Sequence, residues 1–541
     1  MFTFNEGYYS LSSILLSLAL CIMLRSKSIE KISDEPPGEL GKLIGLDRIP
    51  EIKTLRRKIA ELSQNEQGKL WMGELSKQWM NMNSELAGVL YIDGHQDVYY
   101  GKTNKLPRHY ISRLRLAMRA TADYWVCDKL GQPFFSISKS INASMIETIK
   151  EDIIPVLEKD VPNQPGEEAL ISDPHLHKFM IVYDREGYSP DFMIDLWEKR
   201  IACCTYNKYA QDPWPEAEFT ECEIENQNGE KTMVKLAERA VLLEGKQTED
   251  LPLPMKVTEI EETTRGIQVK TINKRTKKKR QIWVREVRKL RDDGNQTSII
   301  TTNYKLTMVF IGMYMFARWC QENFFKYMIH NFGLDMIISY FFTEISDTRQ
   351  VVNPAYRELD KQIRALNAKL NNRESRFGAL HYEHDANDKE FDDMTNKKAE
   401  LQEEITIYRG QLEELKAKRK DTPRKIKYAD LPEEEKFKGV YNQRKQVVDT
   451  IKLIACRSEI SMASIIKKHM SKPEEARALI EQFLKTNADI KVNNQSKTLQ
   501  ISLHHQATRH EDKILGQLCE YLNETKIIFP GTDLMLQYCL V

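Results

Sequence analysis

The sequence has almost no net charge. Its 80 lysines and arginines against 79 aspartates and glutamates leave +1 at pH 7. That excludes a chain that holds polyanions by its overall charge, so any nucleic-acid surface has to be a local patch. It also lacks CxxC pairs: nine cysteines are scattered through 541 residues. Such spacing excludes a disulfide framework and points to reduced thiols in a cytosolic protein. One uncharged run approaches the length of a membrane span, residues 7–24, GYYSLSSILLSLALCIML. No basic region precedes it, and Glu6 stands where one is needed. Its serines and the chain's mean hydropathy of −0.53 favour a buried helix of a soluble protein.

What remains is an ordinary globular composition, 41% hydrophobic and 29% charged, with room for roughly three or four domains of ~150 residues. Residues 1–80 read as a helical domain. After Pro36 and Pro37, Leu40, Leu43 and Ile44 make a short apolar face that Gly45 ends. Pro50 then precedes a second helix with Ile52, Leu55, Ile59 and Leu62 at helical spacing and Lys53, Arg56, Arg57 and Lys58 beside them. Two short helices around a glycine turn, the second basic, fit a DNA-binding helix-turn-helix or a plain helical hairpin.

Residues 85–212 alternate strands with helices, the pattern of an α/β core. GVLYIDGHQDVYY, residues 88–100, reads as a strand, a tight break at Gly94 and a second strand. Residues 122–138 read as a hairpin turning at Leu130–Gly131, and a helix follows around Met145–Leu157. The run KFMIVYD makes a buried strand ending at Asp184, before a helix near Pro190–Lys199 and a strand at Ile201–Tyr206. Residues 213–296 are rich in Thr, Val, Glu and Lys in short alternating strands, a β-rich insertion, and the core resumes over 297–345. Over 354–420, Leu359, Ile363, Leu366, Leu370, Phe377 and Leu380 keep a heptad spacing that Phe391, Met394, Leu401, Ile405, Tyr408, Leu412 and Leu415 resume. A coiled-coil hairpin turning near Asp385–Asp388 is expected. Residues 436–541 carry helical segments near 444–456, 461–469 and 473–485, two short strands at DIKV and TLQISL, and a last helix. That order suits a winged helix or a helical cap with a hairpin.

Three acids stand out by position. Asp93 ends the apolar run VLYID, Asp184 ends MIVYD, and Glu322 lies on the apolar stretch ARWCQENFFKYMIHNFG. Carboxylates at the ends of buried strands face a crevice at the sheet edge. Three converging ones make an oxygen-rich pocket suited to Mg²⁺ or Mn²⁺, and two such ions ~4 Å apart promote phosphoryl transfer. For any single acid the ordinary role is a cap or a salt bridge. Tyr314, Arg318, Glu322 and Lys326 recur every fourth residue, placing two cations beside Glu322 on one helical stripe, either as i,i+4 ion pairs or as contacts for an anionic backbone.

YIDGH, YDREG and Y…RWCQENFFK together resemble the acidic motifs of DDE transposases, specifically the bacterial insertion-sequence group with a Tyr–Arg–Glu–Lys third motif. The resemblance covers roughly residues 85–335. The spacings from Tyr314 to Arg318 and from Glu322 to Lys326 differ from those usual in that group. The resemblance implies an RNase H-like catalytic core with a β-strand insertion, with Asp93, Asp184 and Glu322 catalytic and holding two Mg²⁺ or Mn²⁺ ions. It implies double-stranded DNA as partner, both terminal inverted repeats and target. It also implies a homodimer that synapses two ends, no membrane, and a cytoplasmic, nucleoid-associated location in a bacterium or archaeon.

Candidate DNA contacts are Arg318, Lys326 and Tyr314 beside the acids, and Arg113 and Arg115 in the basic run 102–119. Lys277, Lys278 and Arg280 belong to the denser run 270–291, where Trp283 offers a face for a displaced base. A basic run is more often a solvated face. His175 and His177 in PHLH read as a surface loop, and His95, two residues past Asp93, as a turn histidine or a neighbour of the metals. Two rival functions follow: an RNase H-like nuclease that cuts without joining, and a non-catalytic DNA-binding scaffold.

Overall fold

In the computed structural model, the described residues are 4, 7–101, 106–225, 231–250, 255–263, 266–274, 277–334, 342–343, 347, 350–380, 388–437, 439–440 and 442–541; within these, the side chains at 225, 247–250, 255–263, 266–274, 277–278, 319–322, 342–343, 388–391, 393, 439–440 and 442 lie outside the description. The chain forms two units. One comprises Met1–Val98, Ala120–Tyr340 and Tyr441–Val541, and the other Tyr99–Arg119 and Phe341–Val440.

The first unit is built on a mixed sheet. Its strands are β1 (Val89–Val98), β2 (Leu116–Cys127, whose first residues belong to the second unit), β3 (Pro133–Ser140), β4 (Met180–Tyr183), β5 (Ala202–Tyr206), β6 (Thr220–Glu225), β7 (Lys231–Asp250), β8 (Lys277–Leu290) and β9 (Gln296–Thr301). They lie in the order β3–β2–β1–β4–β5–β9–β8–β7–β6. β1, β4 and β5 run parallel, and every other neighbouring pair is antiparallel. All four residues of β4 are buried, as a parallel strand covered on both faces requires. The expected insertion therefore extends the central sheet itself, and β7 and β8 are longer than the short strands read from the sequence.

Gly94 is a correction. β1 runs unbroken from Val89 to Val98, with Gly94 opposite Tyr124 in register. A Cβ at Gly94 would stand 3.2 Å from the Tyr124 ring. The glycine makes room for a cross-strand aromatic, and no turn is present.

Its longer helices are α1 (Leu11–Met23), α2 (Ile52–Leu62), α3 (Gln67–Met82), α4 (Pro190–Glu198), α5 (Met308–Ala317), α6 (Trp319–Phe332), α7 (Asn442–Lys467), α8 (Ala476–Leu484) and α9 (Arg509–Glu524), with shorter ones at Pro37–Lys42, Met145–Thr148, Ile154–Asp160 and Glu167–Ser172. Ser10 caps α1 by accepting from the Ser13 N–H. The buried face of α1 is Ile14, Ser17, Leu18, Cys21 and Ile22. Among the described residues no helix is long and apolar enough to cross a membrane. On α2, Leu55, Ile59 and Leu62 are buried, and so is Lys58, paired with Glu61. α5 lays Ile311 and Met315 on Val182, Cys204, Leu236, Val287 and Ile299, each apolar side chain so buried contributing about 1.5–3 kcal/mol.

The two segments expected at 444–456 and 461–469 form one helix, α7. Polar residues in the stretch between them are anchors: Arg457 donates to the Pro133 carbonyl, and Glu459 pairs with Arg25 and Arg477. α7 packs on α1, α2, α3 and β3, so residues from both ends of the chain share one unit. Beyond α8, strands Ala488–Asn493, Thr498–Leu503 and Met535–Leu540 form a small sheet with α9 beside it.

In the second unit, helices Pro354–Ala379 and Asp388–Asp421 lie antiparallel. They bury Ile363, Leu370, Ile405 and Leu412 and are joined by Arg373–Glu404, Glu374–Arg409 and Asp360–Arg419 ion pairs. The expected turn near Asp385–Asp388 falls largely outside the described residues.

α7 also carries a buried ion cluster. Lys445 Nζ lies 2.5 Å from Asp123, 2.6 Å from Asp449 and 3.3 Å from Asp97, and Lys452 Nζ lies 3.8 Å from Asp449. Three carboxyls thus face two ammonium groups. Burial, with Asp123 alongside, pushes the Asp97 carboxyl well above its usual range, and His95 Nε2 stands 3.4 Å from the same carboxyl. We expect Lys445→Met to cost about 3–5 kcal/mol, because Asp123 and Asp449 lose their counterion in the interior. Asp97→Asn, which keeps the side chain's shape and leaves Asp123 and Asp449 to share Lys445, is expected to cost less than Lys445→Met. Urea denaturation of the two variants checks both; equal losses would contradict this account of the cluster.

Candidate active site

Parallel pairing between β1 and β4 ends at Ile92 and Tyr183. Asp93 and Asp184 are the next residue on each chain. Beyond this point β1 continues alongside β2, while the other chain turns into the short helix Arg185–Gly187. The two carboxylates therefore stand where neighbouring strands part, at a crevice on the carboxyl edge of the parallel strands. Asp93 Oδ1 accepts from the Gly94 N–H at 2.9 Å. The Asp184 backbone is tied to β5, its carbonyl accepting from Thr205 Oγ1 at 3.2 Å.

Arg318 bridges them. Its Nη1 lies 3.7 Å from Asp93 Oδ1 and its Nη2 3.5 Å from Asp184 Oδ1, with side-chain exposures of 13%, 16% and 35% for the arginine and the two acids. The guanidinium also stands 5.8 Å from the Tyr206 ring centroid. One cation between two carboxylates at a half-open crevice is an electrostatically matched site for a further charged ligand.

Arg318 occupies the joint between α5 and α6, and the sequence did not show that joint. A continuous helix would direct the Arg318 N–H to the Tyr314 carbonyl. That carbonyl instead accepts from the Tyr91 hydroxyl at 2.8 Å, and the Arg318 N–H turns to Met315 at 3.4 Å. The β1 hydroxyl thus meets the helix one turn before the residue that reaches the acids, and Arg318 itself keeps helical dihedrals at the joint (φ −55, ψ −27). At its far end α6 stops at Gly333 (φ +59), whose carbonyl accepts from Lys452 Nζ at 2.8 Å. Glu459 of α7 holds the Tyr327 hydroxyl, and Arg25 stacks on Phe332. α7 therefore holds both carriers of the site, β1 and β2 through Lys445 and α6 through Lys452 and Glu459.

The other expected residues are placed as follows. Glu322 lies in the first half of α6, and its side chain is outside the described residues. Tyr314 is half-buried against the sheet, where burial raises its phenol, and Lys326 is exposed. Arg113 and Arg115 are on an exposed hairpin of the second unit. Lys277 and Lys278 open β8, with side chains outside the described residues. Arg280 is engaged by Asp195 and Glu198 of α4, both at 2.8 Å. His95 is buried, stacked on Phe325 at 5.2 Å and 3.4 Å from Asp97, so it is no turn residue. His177 packs on Trp197, and burial, with Arg200 beside it, lowers its pKa to about 4. Among the described residues no group of three His, Cys, Asp or Glu side chains is arranged to hold a metal ion.

Sequence reasoning missed Tyr91, Asp97, Asp123, Lys445 and Lys452. A signal existed for the last two: KQVVDTIKLIACRSE sets charges at helical spacing among aliphatic residues, as ARWCQENFFK does.

Compared with known families, the chain matches the family described as "Transposase protein" over residues 1–275 and 259–541, which together span its whole length. No curated protein matches it.

Removing the Tyr91 hydroxyl frees the Tyr314 carbonyl. Tyr91→Phe is expected to lower stability by about 0.5–1.5 kcal/mol, read from denaturant midpoints. A variant as stable as the parent would contradict this account of the helix joint.

Proposed function

The chain belongs to this transposase protein family, and from that premise we propose that it is a DDE-type enzyme, cutting and joining DNA at an RNase H-like core. The observation that carries the reading is the pairing of Asp93 and Asp184 at the parting of β1 and β4, around Arg318 of the helical segment that leads into Glu322. A sheet with a parallel centre and an antiparallel flank, interrupted between β5 and α5 by a β insertion, supports the same reading.

The donor set fits divalent ions. Asp93 and Asp184 are hard oxygen donors already held against one cation, and Glu322 is positioned by sequence on the adjoining helix. Asp93, Asp184 and Glu322 would hold Mg²⁺ or Mn²⁺, which when bound supplies Lewis-acid activation of the attacking oxygen and neutralises charge at the leaving oxygen. Water attacks phosphorus at the element end, the bond to the 3′-oxygen breaks, and a 3′-hydroxyl and a 5′-phosphate result. That hydroxyl then attacks a phosphodiester of target DNA, exchanging one P–O bond for another. Arg318, paired with both carboxylates, would screen their repulsion and meet a phosphate oxygen, with exposed Lys326 further along on α6. Two ends must be brought together, so the working form is a dimer on double-stranded DNA.

The test uses the full chain with a plasmid carrying the sequences that flank its reading frame. Asp93→Asn, Asp184→Asn and Glu322→Gln are each expected to reduce Mg²⁺-dependent nicking and joining to background while end binding persists in gel shifts. Wild-type nicking by any one of the three would overturn the assignment.

A further inference from the structure

The segment from Leu106 to Ala122 contains no aspartate or glutamate and four arginines. Its described part folds as a hairpin of Arg108–Ile111 with Leu116–Arg119, pairing Arg108 with Arg119, Tyr110 with Ala117, and Ile111 with Leu116. The turn is closed by the Leu114 N–H on Ile111 and the Arg115 N–H on Ser112, and it holds Arg115 at φ +52, a left-handed position that a non-glycine residue occupies at some cost. The turn keeps an arginine where glycine would be unstrained.

Its tip is also apolar in the open. Tyr110 is 58% exposed, Leu114 39% and Leu116 59%. One exposed leucine is unremarkable in a folded protein. Two leucines and a tyrosine within seven residues, ringed by arginines, match a ligand that is anionic outside and apolar within. Duplex DNA is such a ligand, with phosphates along its edges and base faces between them. Proteins that bend DNA use this pairing of basic residues with an aliphatic wedge.

We propose that the Arg108–Arg119 hairpin is a wedge for the minor groove of duplex DNA. Arg113 and Arg115 meet phosphates, and Leu114 and Leu116 enter a base step that unstacks. The inference rests on the transposase reading for its partner and adds a preference for deformable steps, since a pyrimidine–purine step opens more readily than an A-tract.

The experiment measures binding of the full-length protein in EDTA, by fluorescence anisotropy, across a series of salt concentrations. The probes are two duplexes, one carrying a central T–A step with 2-aminopurine as its purine and one carrying an A-tract. Wild type is expected to favour the T–A duplex and to brighten the 2-aminopurine. Arg113→Ala with Arg115→Ala is expected to reduce the salt slope by about two, one for each phosphate left without its arginine. Leu114→Ser with Leu116→Ser is expected to keep the slope while losing both the brightening and the T–A preference. Arginine variants with wild-type slope, or leucine variants with wild-type brightening, would overturn the wedge. Failure of wild type to bind either duplex would instead overturn the transposase reading beneath it.

Discussion

Everything at the crevice depends on where two parallel strands stop pairing. β1 and β4 share a register that ends at Ile92 and Tyr183, and the next residue on each is an aspartate. Had either strand continued in register, Asp93 and Asp184 would sit side by side within a covered sheet, with no opening for a ligand and a heavy desolvation cost. Divergence supplies the opening, and Arg318 supplies the charge that lets two carboxylates share it.

The scaffold around this point is polar where a protein interior is usually apolar. Lys445, Asp97, Asp123 and Asp449 tie α7 to β1 and β2, and Lys452 and Glu459 tie it to α6. Hydrogen-bonded charges fix direction and distance more narrowly than aliphatic contacts do. The Tyr91 hydroxyl does the same for the helix joint that sets Arg318. A stretch near the end of the chain thus holds in place elements that lie hundreds of residues earlier.

Much of this was legible in the sequence, for physical reasons. MIVYD showed a buried strand ending in an acid because a strand covered on both faces must be continuously apolar, whereas VLYID showed only the first half of a strand that runs on past Asp93 to Val98. The alternating Thr, Val, Glu and Lys of 213–296 showed strands, which here continue the central sheet. Gly94 misled because glycine signals a turn in isolation, whereas here it clears space for the Tyr124 ring from a strand far along the chain. The joint at Arg318 was hidden because the contact beside it, a hydroxyl on β1, is non-local. The continuity of α7 was not read because the partners of its polar residues, Arg25, Pro133 and Arg477, lie on other elements. Such partners leave no periodicity to read.

The central claim is that Asp93, Asp184 and Glu322 surround shared divalent ions. The most direct measurement replaces Mg²⁺ with Fe²⁺ in the full-length protein, generates hydroxyl radicals with ascorbate and peroxide, and maps the backbone cuts by mass spectrometry. The account predicts cuts clustered around all three positions and suppressed together by excess Mg²⁺. Cuts near only one of them, or a pattern indifferent to Mg²⁺, would contradict it.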